Sequence, residues 1–152
     1  MMKYLFDTNI FNEILDGSIN TDNFKDNIIC YTTHIQHDEI NSTKNKVRRE
    51  ALNSKFSVIN DERILTESFV LDVSRFDNSK YSDGVLYEDI KQSLDKLNKK
   101  KKNNERDALI AEVSIKNNLT LVTHDMELYK AVTKFKGAAV NLFYLLKTQS
   151  NN

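Results

Sequence analysis

The feature that most constrains this chain is its alternation of short apolar runs with longer amphipathic ones, clearest in the last third. Glu105 to Asn117 is apolar around much of a helical circumference, which predicts a helix packed on a sheet. Asn118 can close that helix in the left-handed conformation. Thr120 to Thr123 reads as a strand, and Asp125 as the cap of a helix in which Leu128, Ala131, Val132 and Phe135 follow the i, i+3, i+4, i+7 pattern. Gly137 ends that helix, and Ala138 to Asn141 reads as a further strand.

The same alternation runs through the earlier sequence. Lys3 to Phe6 is rich in strand formers. Thr8 opens a helix with the stripe Ile10, Phe11, Ile14 and Leu15, stopped by Asp16-Gly17. Ile28 to Thr33 reads as a strand, followed by one long helix from about Ile35 to Leu52 whose polar middle, Asn41 to Arg49, faces solvent. Phe56 to Ile59 and Arg63 to Thr66 read as short extended pieces, and Asp77 to Gly84 as a polar break. Val85 to Leu97 is helical, with Leu86, Ile90, Leu94 and Leu97 on one face, and Lys99 to Asn104 forms a loop. Strands that alternate with helices imply parallel pairing with crossovers, so the expected architecture is a single α/β domain of three layers over residues 1–152.

Composition narrows the class. At 152 residues the chain can bury a core without disulfides or metal. Its one cysteine, Cys30, lies in the apolar run Ile28 to Tyr31 and reads as a small buried hydrophobe rather than a reactive thiol. Nothing at the start resembles a signal peptide. The apolar stretch Ala138 to Leu146 is too short to span a bilayer, so a soluble, cytoplasmic protein without a membrane partner is expected. The 22 basic and 22 acidic residues balance to zero, which on its face argues against a nucleic-acid partner.

Where the acids fall changes that reading. In open parallel sheets, ligands bind beyond the carboxyl ends of the strands. Asp7 follows the first strand, Glu39 lies early in the helix after the second, and Asp125 follows the third. Asp107 is in the first turn of the helix that leads into that third strand. Each alone has a structural explanation: Asp7 and Asp125 can cap helices, Asp107 can complement a helix dipole, and Glu39 can be solvated. Converging, four carboxylates raise one another's pKa unless a cation neutralises them. All-oxygen ligands suit Mg²⁺ or Mn²⁺, ions that support phosphodiester cleavage. With those four set aside, the remaining surface carries a basic excess.

The segment Tyr4-Leu5-Phe6-Asp7-Thr8-Asn9-Ile10-Phe11 resembles the opening motif of PIN-domain nucleases, including the VapC-type toxins. Glu105-Arg106-Asp107-Ala108-Leu109-Ile110-Ala111 resembles that family's third motif, and Leu121-Val122-Thr123-His124-Asp125-Met126-Glu127-Leu128 its fourth. Glu39, within Thr33 to Ile40, stands where the family places its second acidic residue. The resemblance spans Lys3 to about Leu142. It implies a three-layer α/β/α domain around a mainly parallel sheet of four or five strands, and a metal-dependent ribonuclease. Asp7, Glu39, Asp107 and Asp125 carry over as catalytic and metal-binding positions, and Glu127 as an auxiliary metal position. Thr8 or Asn9 would orient Asp7 or a water, and Thr123 would position Asp125 or a ligand. The resemblance further implies an RNA substrate, a place as the toxin of a type II toxin-antitoxin pair with an antitoxin partner, and a homodimer. The chain departs from the family at His124, where a small polar or acidic residue is commoner. Phe56 to Lys102 aligns with no motif.

His34 and His37, at i and i+3, lack the third ligand and the Glu of a zinc-helix pattern. His124 and Arg106 are candidates for substrate contact, as is the run Lys99, Lys100, Lys101 and Lys102, which precedes the Asp107 helix and otherwise reads as a solvated loop. Lys46, Arg48 and Arg49 read as a solvent face. No Trp and no interleaved aromatic-basic motif points to a base-stacking platform. The alternative function is a catalytically weak PIN-like module that binds RNA or protein. A receiver-type phosphoacceptor is disfavoured, because Phe6-Asp7-Thr8 offers one acid where that fold needs a pair.

Overall fold

A computed structural model describes residues 1–71, 73–74 and 83–151. Its centre is one five-stranded sheet in the order β3-β2-β1-β4-β5, with every neighbouring pair parallel. The strands are β1 (Met2–Phe6), β2 (Ile28–Thr32), β3 (Glu62–Arg63), β4 (Thr120–Val122) and β5 (Ala138–Val140). The helices among the described residues are α1 (Thr8–Asp16), α2 (Asp22–Lys25), α3 (His34–Asn41), α4 (Lys46–Ile59), α5 (Val85–Asn98), α6 (Asn104–Lys116), α7 (Met126–Lys134) and α8 (Leu142–Ser150).

The two-residue period of a strand divides the core. Leu5, Tyr31, Leu121 and Ala139 point to one face, where α5, α6 and α7 cover them with Ile90, Leu94, Leu109, Val113, Leu128 and Val132. Tyr4, Phe6, Cys30 and Val122 point to the other, where α1, α4 and α8 supply Ile10, Phe11, Ile14, Leu52, Phe56 and Leu145. The three-layer α/β/α arrangement expected from the alternation is the one observed. Cys30 is fully buried, and burial pushes its thiol well above the ordinary range.

Four local expectations are corrected. The single helix over Ile35 to Leu52 is two: α3 stops at Asn41, and α4 restarts at Lys46 with Asn45 as its cap, Oδ1 accepting from the Arg48 N–H at 2.9 Å. Phe56 to Ile59 is not extended but the last turn of α4, because Leu52, Phe56 and Ile59 form one buried stripe at helical spacing. Of the piece expected over Arg63 to Thr66, only Arg63 lies in a strand. The strand over Ala138 to Asn141 ends at Val140, since Asn141 caps α8 by accepting from the Tyr144 N–H at 2.8 Å. Most of the break expected over Asp77 to Gly84 lies outside the described residues.

Asn118 does take the left-handed conformation, at φ 53°. After α7 it is Lys136 that turns left-handed, at φ 65°, while Gly137 serves close packing: a Cβ there would stand 2.7 Å from both Ile115 and Val132. Among the described residues no helix is long and apolar enough to cross a membrane.

Candidate functional site

Parallel strands put all their carboxyl ends on one rim, and the acids gather there. β1 is the central strand, and Asp7 directly follows it. The Asp7 N–H donates to Val122 O at 3.0 Å, which continues the β1–β4 pairing one residue further. Asp7 Oδ1 caps α1 by accepting from the Thr8 N–H at 2.8 Å, and Oδ2 accepts from the Thr123 hydroxyl at 2.7 Å. The carboxylate is only 6% exposed, and burial raises its pKa to about 6. Thr123, the Thr8 N–H and Asn9 hold it down, while Asp125 pushes it up.

Asp125 caps α7, its Oδ1 accepting from the N–H groups of Glu127 and Leu128 at 2.9 and 3.2 Å. Its own N–H donates to Thr123 Oγ1 at 3.0 Å, so one hydroxyl links Asp7 to the turn that carries Asp125. The capping explanation is therefore correct for both aspartates, and it leaves them facing each other.

Glu39 and Asp107 complete the group. Burial raises Glu39 to about 7; Asp7 and Asp38 add to the rise, and Arg106 and the Thr8 hydroxyl counter it. Asp107 is raised to about 8, by burial first and then by Asp7, Asp125 and Glu39 together, with Lys101 opposing. The four expected carboxylates thus act on one another. Glu127 is not among the main charges that shift them; its backbone belongs to the Asp125 cap.

The supporting residues divide in the same way. Thr123 makes both bonds just described. Asn9 Oδ1 accepts from the His124 N–H at 3.2 Å, tying α1 to the β4–α7 turn. Thr8 Oγ1 is buried with no partner at hydrogen-bond distance, although it faces Glu39 closely enough to lower it. Of the lysine run, Lys101 acts on Asp107, and Lys102 lines a cleft of about 430 Å³ with Arg106, Glu39 and Asp38. Lys100 faces away toward Asp95, and Lys99 is the exposed left-handed cap of α5. The histidine pair divides between two environments: His34 Nε2 lies 2.9 Å from Val73 O, and His37 stacks on Phe56 at 5.2 Å between centroids.

Two residues escaped the sequence reading. Gln36 completes a capping box with Thr33 and sends its Nε2 to Phe6 O at 2.9 Å, so the helix bearing Glu39 is pinned to the end of β1. The T-x-x-Q pattern at Thr33 was the available signal. Glu13, one turn beyond Asn9, has a buried Oε2 without a hydrogen bond, 3.9 Å from His124 Nδ1.

As they stand, no three Asp, Glu, His or Cys side chains among the described residues form a ready-made metal cage. The donor set nevertheless fits a hard divalent ion. It is all oxygen, its members repel one another, and the Thr8 hydroxyl beside them lacks a partner.

The sequence matches the family model described as "PIN domain" over residues 4–134. No curated protein matches it. The fold is similar to VapBC2 from Rickettsia felis, solved bound to a DNA fragment from its promoter, with 20% identity, a TM-score of 0.59, and 92% of this chain and 98% of that one covered. It is also similar to PAE2754 from Pyrobaculum aerophilum, with 16% identity, a TM-score of 0.61, and 99% and 97% covered. At these identities the likeness is one of fold. The family match takes in Asp7, Glu39, Asp107 and Asp125 together with most of β1 and all of β2, β3 and β4, and on that ground the chain belongs to the PIN-domain family, a family of nucleases.

Proposed function

We propose that this protein is a Mg²⁺- or Mn²⁺-dependent endoribonuclease acting in the cytoplasm as the toxin of a type II toxin-antitoxin pair. The observation that carries the reading is electrostatic. Asp7, Glu39 and Asp107 are all pushed up by burial and by the other acids of one rim, an arrangement that costs stability and is relieved by a divalent cation. When bound, such an ion supplies charge neutralisation and activation of a water for attack on a phosphodiester.

The chain's own residues do the positioning. Thr123 fixes the Asp7 carboxylate and the Asp125 turn in one geometry. Gln36 holds α3 to β1, which sets Glu39 opposite Asp7. Arg106 and Lys102 line the cleft beside Glu39, which supports a role for them in meeting the phosphates flanking the scissile one. An antitoxin and a second copy of the chain as partners are part of this proposal and rest on the family alone.

The test is cleavage of single-stranded RNA by purified protein with Mg²⁺ or Mn²⁺. Products with a 3′-hydroxyl and a 5′-phosphate are expected, and EDTA, Asp7→Asn and Asp125→Asn should each abolish them. Cleavage that survives any of the three overturns the metal mechanism.

A further inference from the structure

Between α7, the edge strand β5 and α8 lies a cavity of about 790 Å³ that the acidic rim does not use. Thr123, His124, Met126, Tyr129, Asn141 and Tyr144 line it, and among the described residues no carboxylate, lysine or arginine does. Its floor begins at the residue whose hydroxyl is 2.7 Å from Asp7, so it opens within a nucleotide's reach of the proposed reaction centre. Met126, Tyr129 and Tyr144 stay 60%, 36% and 53% exposed, leaving apolar and aromatic surface in water beside a polar site. Asn141 Oδ1 is used by the Tyr144 N–H, which leaves its amide two donors. β5 ends the sheet, and its outer edge pairs with no described strand.

We propose that this cavity is a nucleobase subsite, taking an unpaired base of single-stranded RNA adjacent to the phosphodiester at the acidic rim. The base stacks on Tyr129 or Tyr144, and the Asn141 amide and the outer edge of β5 meet its polar edge. The inference rests on the ribonuclease reading and deepens it. A mixed aromatic and amide lining that continues directly from the Asp7–Thr123 pair favours a nucleotide over a protein segment. The two tyrosines sit on different helices, which is why no stacking motif shows in the sequence.

The test uses the full chain and single-stranded RNA dodecamers that each carry one 2-aminopurine at a different position. Binding is measured in Ca²⁺, which accepts the same oxygen donors as Mg²⁺ with looser geometry. Stacking predicts quenching at particular positions in the unmodified protein and in Tyr129→Phe and Tyr144→Phe. It predicts loss of that quenching in Tyr129→Ala or Tyr144→Ala, with affinity weakened roughly 5- to 150-fold. With Mg²⁺, the same variants should raise KM more than they lower kcat. Unchanged quenching and affinity in both alanine variants would overturn the subsite even if RNA is cleaved. So would a halved mass in solution with RNA affinity unchanged, since the cavity would then be a contact between copies. Tyrosine-dependent quenching without any cleavage would sustain the subsite while sinking the nuclease reading.

Discussion

Helix α6 carries two acids, one buried and one half-buried, whose surroundings differ in kind. Glu112 is fully buried, and its Oε2 accepts from the Ser68 hydroxyl at 2.9 Å and meets Lys116 Nζ at 3.4 Å. Its cation is built into the chain one helical turn away. Asp107, in the first turn of the same helix, faces Asp7, Asp125 and Glu39, and Lys101 only partly offsets them. A buried carboxylate that the fold supplies with a partner is structural. One that the fold surrounds with other carboxylates has been left for something outside the chain.

Substitutions should separate the two. The largest effect is expected on activity: Asp107→Asn should lower RNA cleavage by at least about a thousandfold, an effect on the order of 4 kcal/mol on the transition state. The same variant in EDTA should melt higher than the parent, by about 3–6 °C, because it removes a repelled charge. Glu112→Ala should do the reverse, costing about 2–4 kcal/mol of stability by stripping Ser68 and Lys116 of their shared acceptor while sparing kcat. Urea melts and initial rates on both variants check the contrast, and equal behaviour of the two would break it.

The contrast also has a pH signature. Folding raises Asp7, Glu39 and Asp107 above their unfolded values, to about 6, 7 and 8. Between about pH 4 and pH 8 the folded chain therefore binds more protons than the unfolded one, and stability falls as pH rises. Melting curves in EDTA should show this decline, and Mg²⁺ or Mn²⁺ should oppose it most strongly near pH 8, where the ion displaces the fewest protons. A smaller effect is expected from Thr123→Val, which removes the hydroxyl between Asp7 and the Asp125 turn: about 1–2 kcal/mol of stability and roughly tenfold in kcat. The smallest is Arg106→Ala, which should weaken RNA binding and reduce its salt dependence by about one counterion. Salt titrations of RNA affinity would detect it.

Much of this was legible in the sequence, because a parallel sheet has a polarity that chain order reveals. Once Lys3 to Phe6 and Thr120 to Thr123 read as strands, Asp7 and Asp125 had to emerge at the same rim. What escaped has local physical reasons. The break between α3 and α4 carries neither proline nor glycine, the strongest stop signals; it is made by Asn45 capping α4. Glu13 and His124 meet only because Asn9 ties α1 to the β4–α7 turn, and Tyr129 and Tyr144 come to one cavity only across β5. Such pairings depend on tertiary contact rather than on spacing along the chain.

The pairing of β1 with β4 also bears on how the protein is born. Asp7 and Glu39 leave the ribosome early, but the strand that receives the Asp7 N–H, the hydroxyl that holds its carboxylate, and Asp125 all come from residues 120–125. Until most of the message has been translated, the first two acids have no rim to belong to. The rim therefore cannot assemble until most of the chain has been made, and any product truncated before Thr120 lacks Asp125, the Thr123 hydroxyl and the strand that receives the Asp7 N–H.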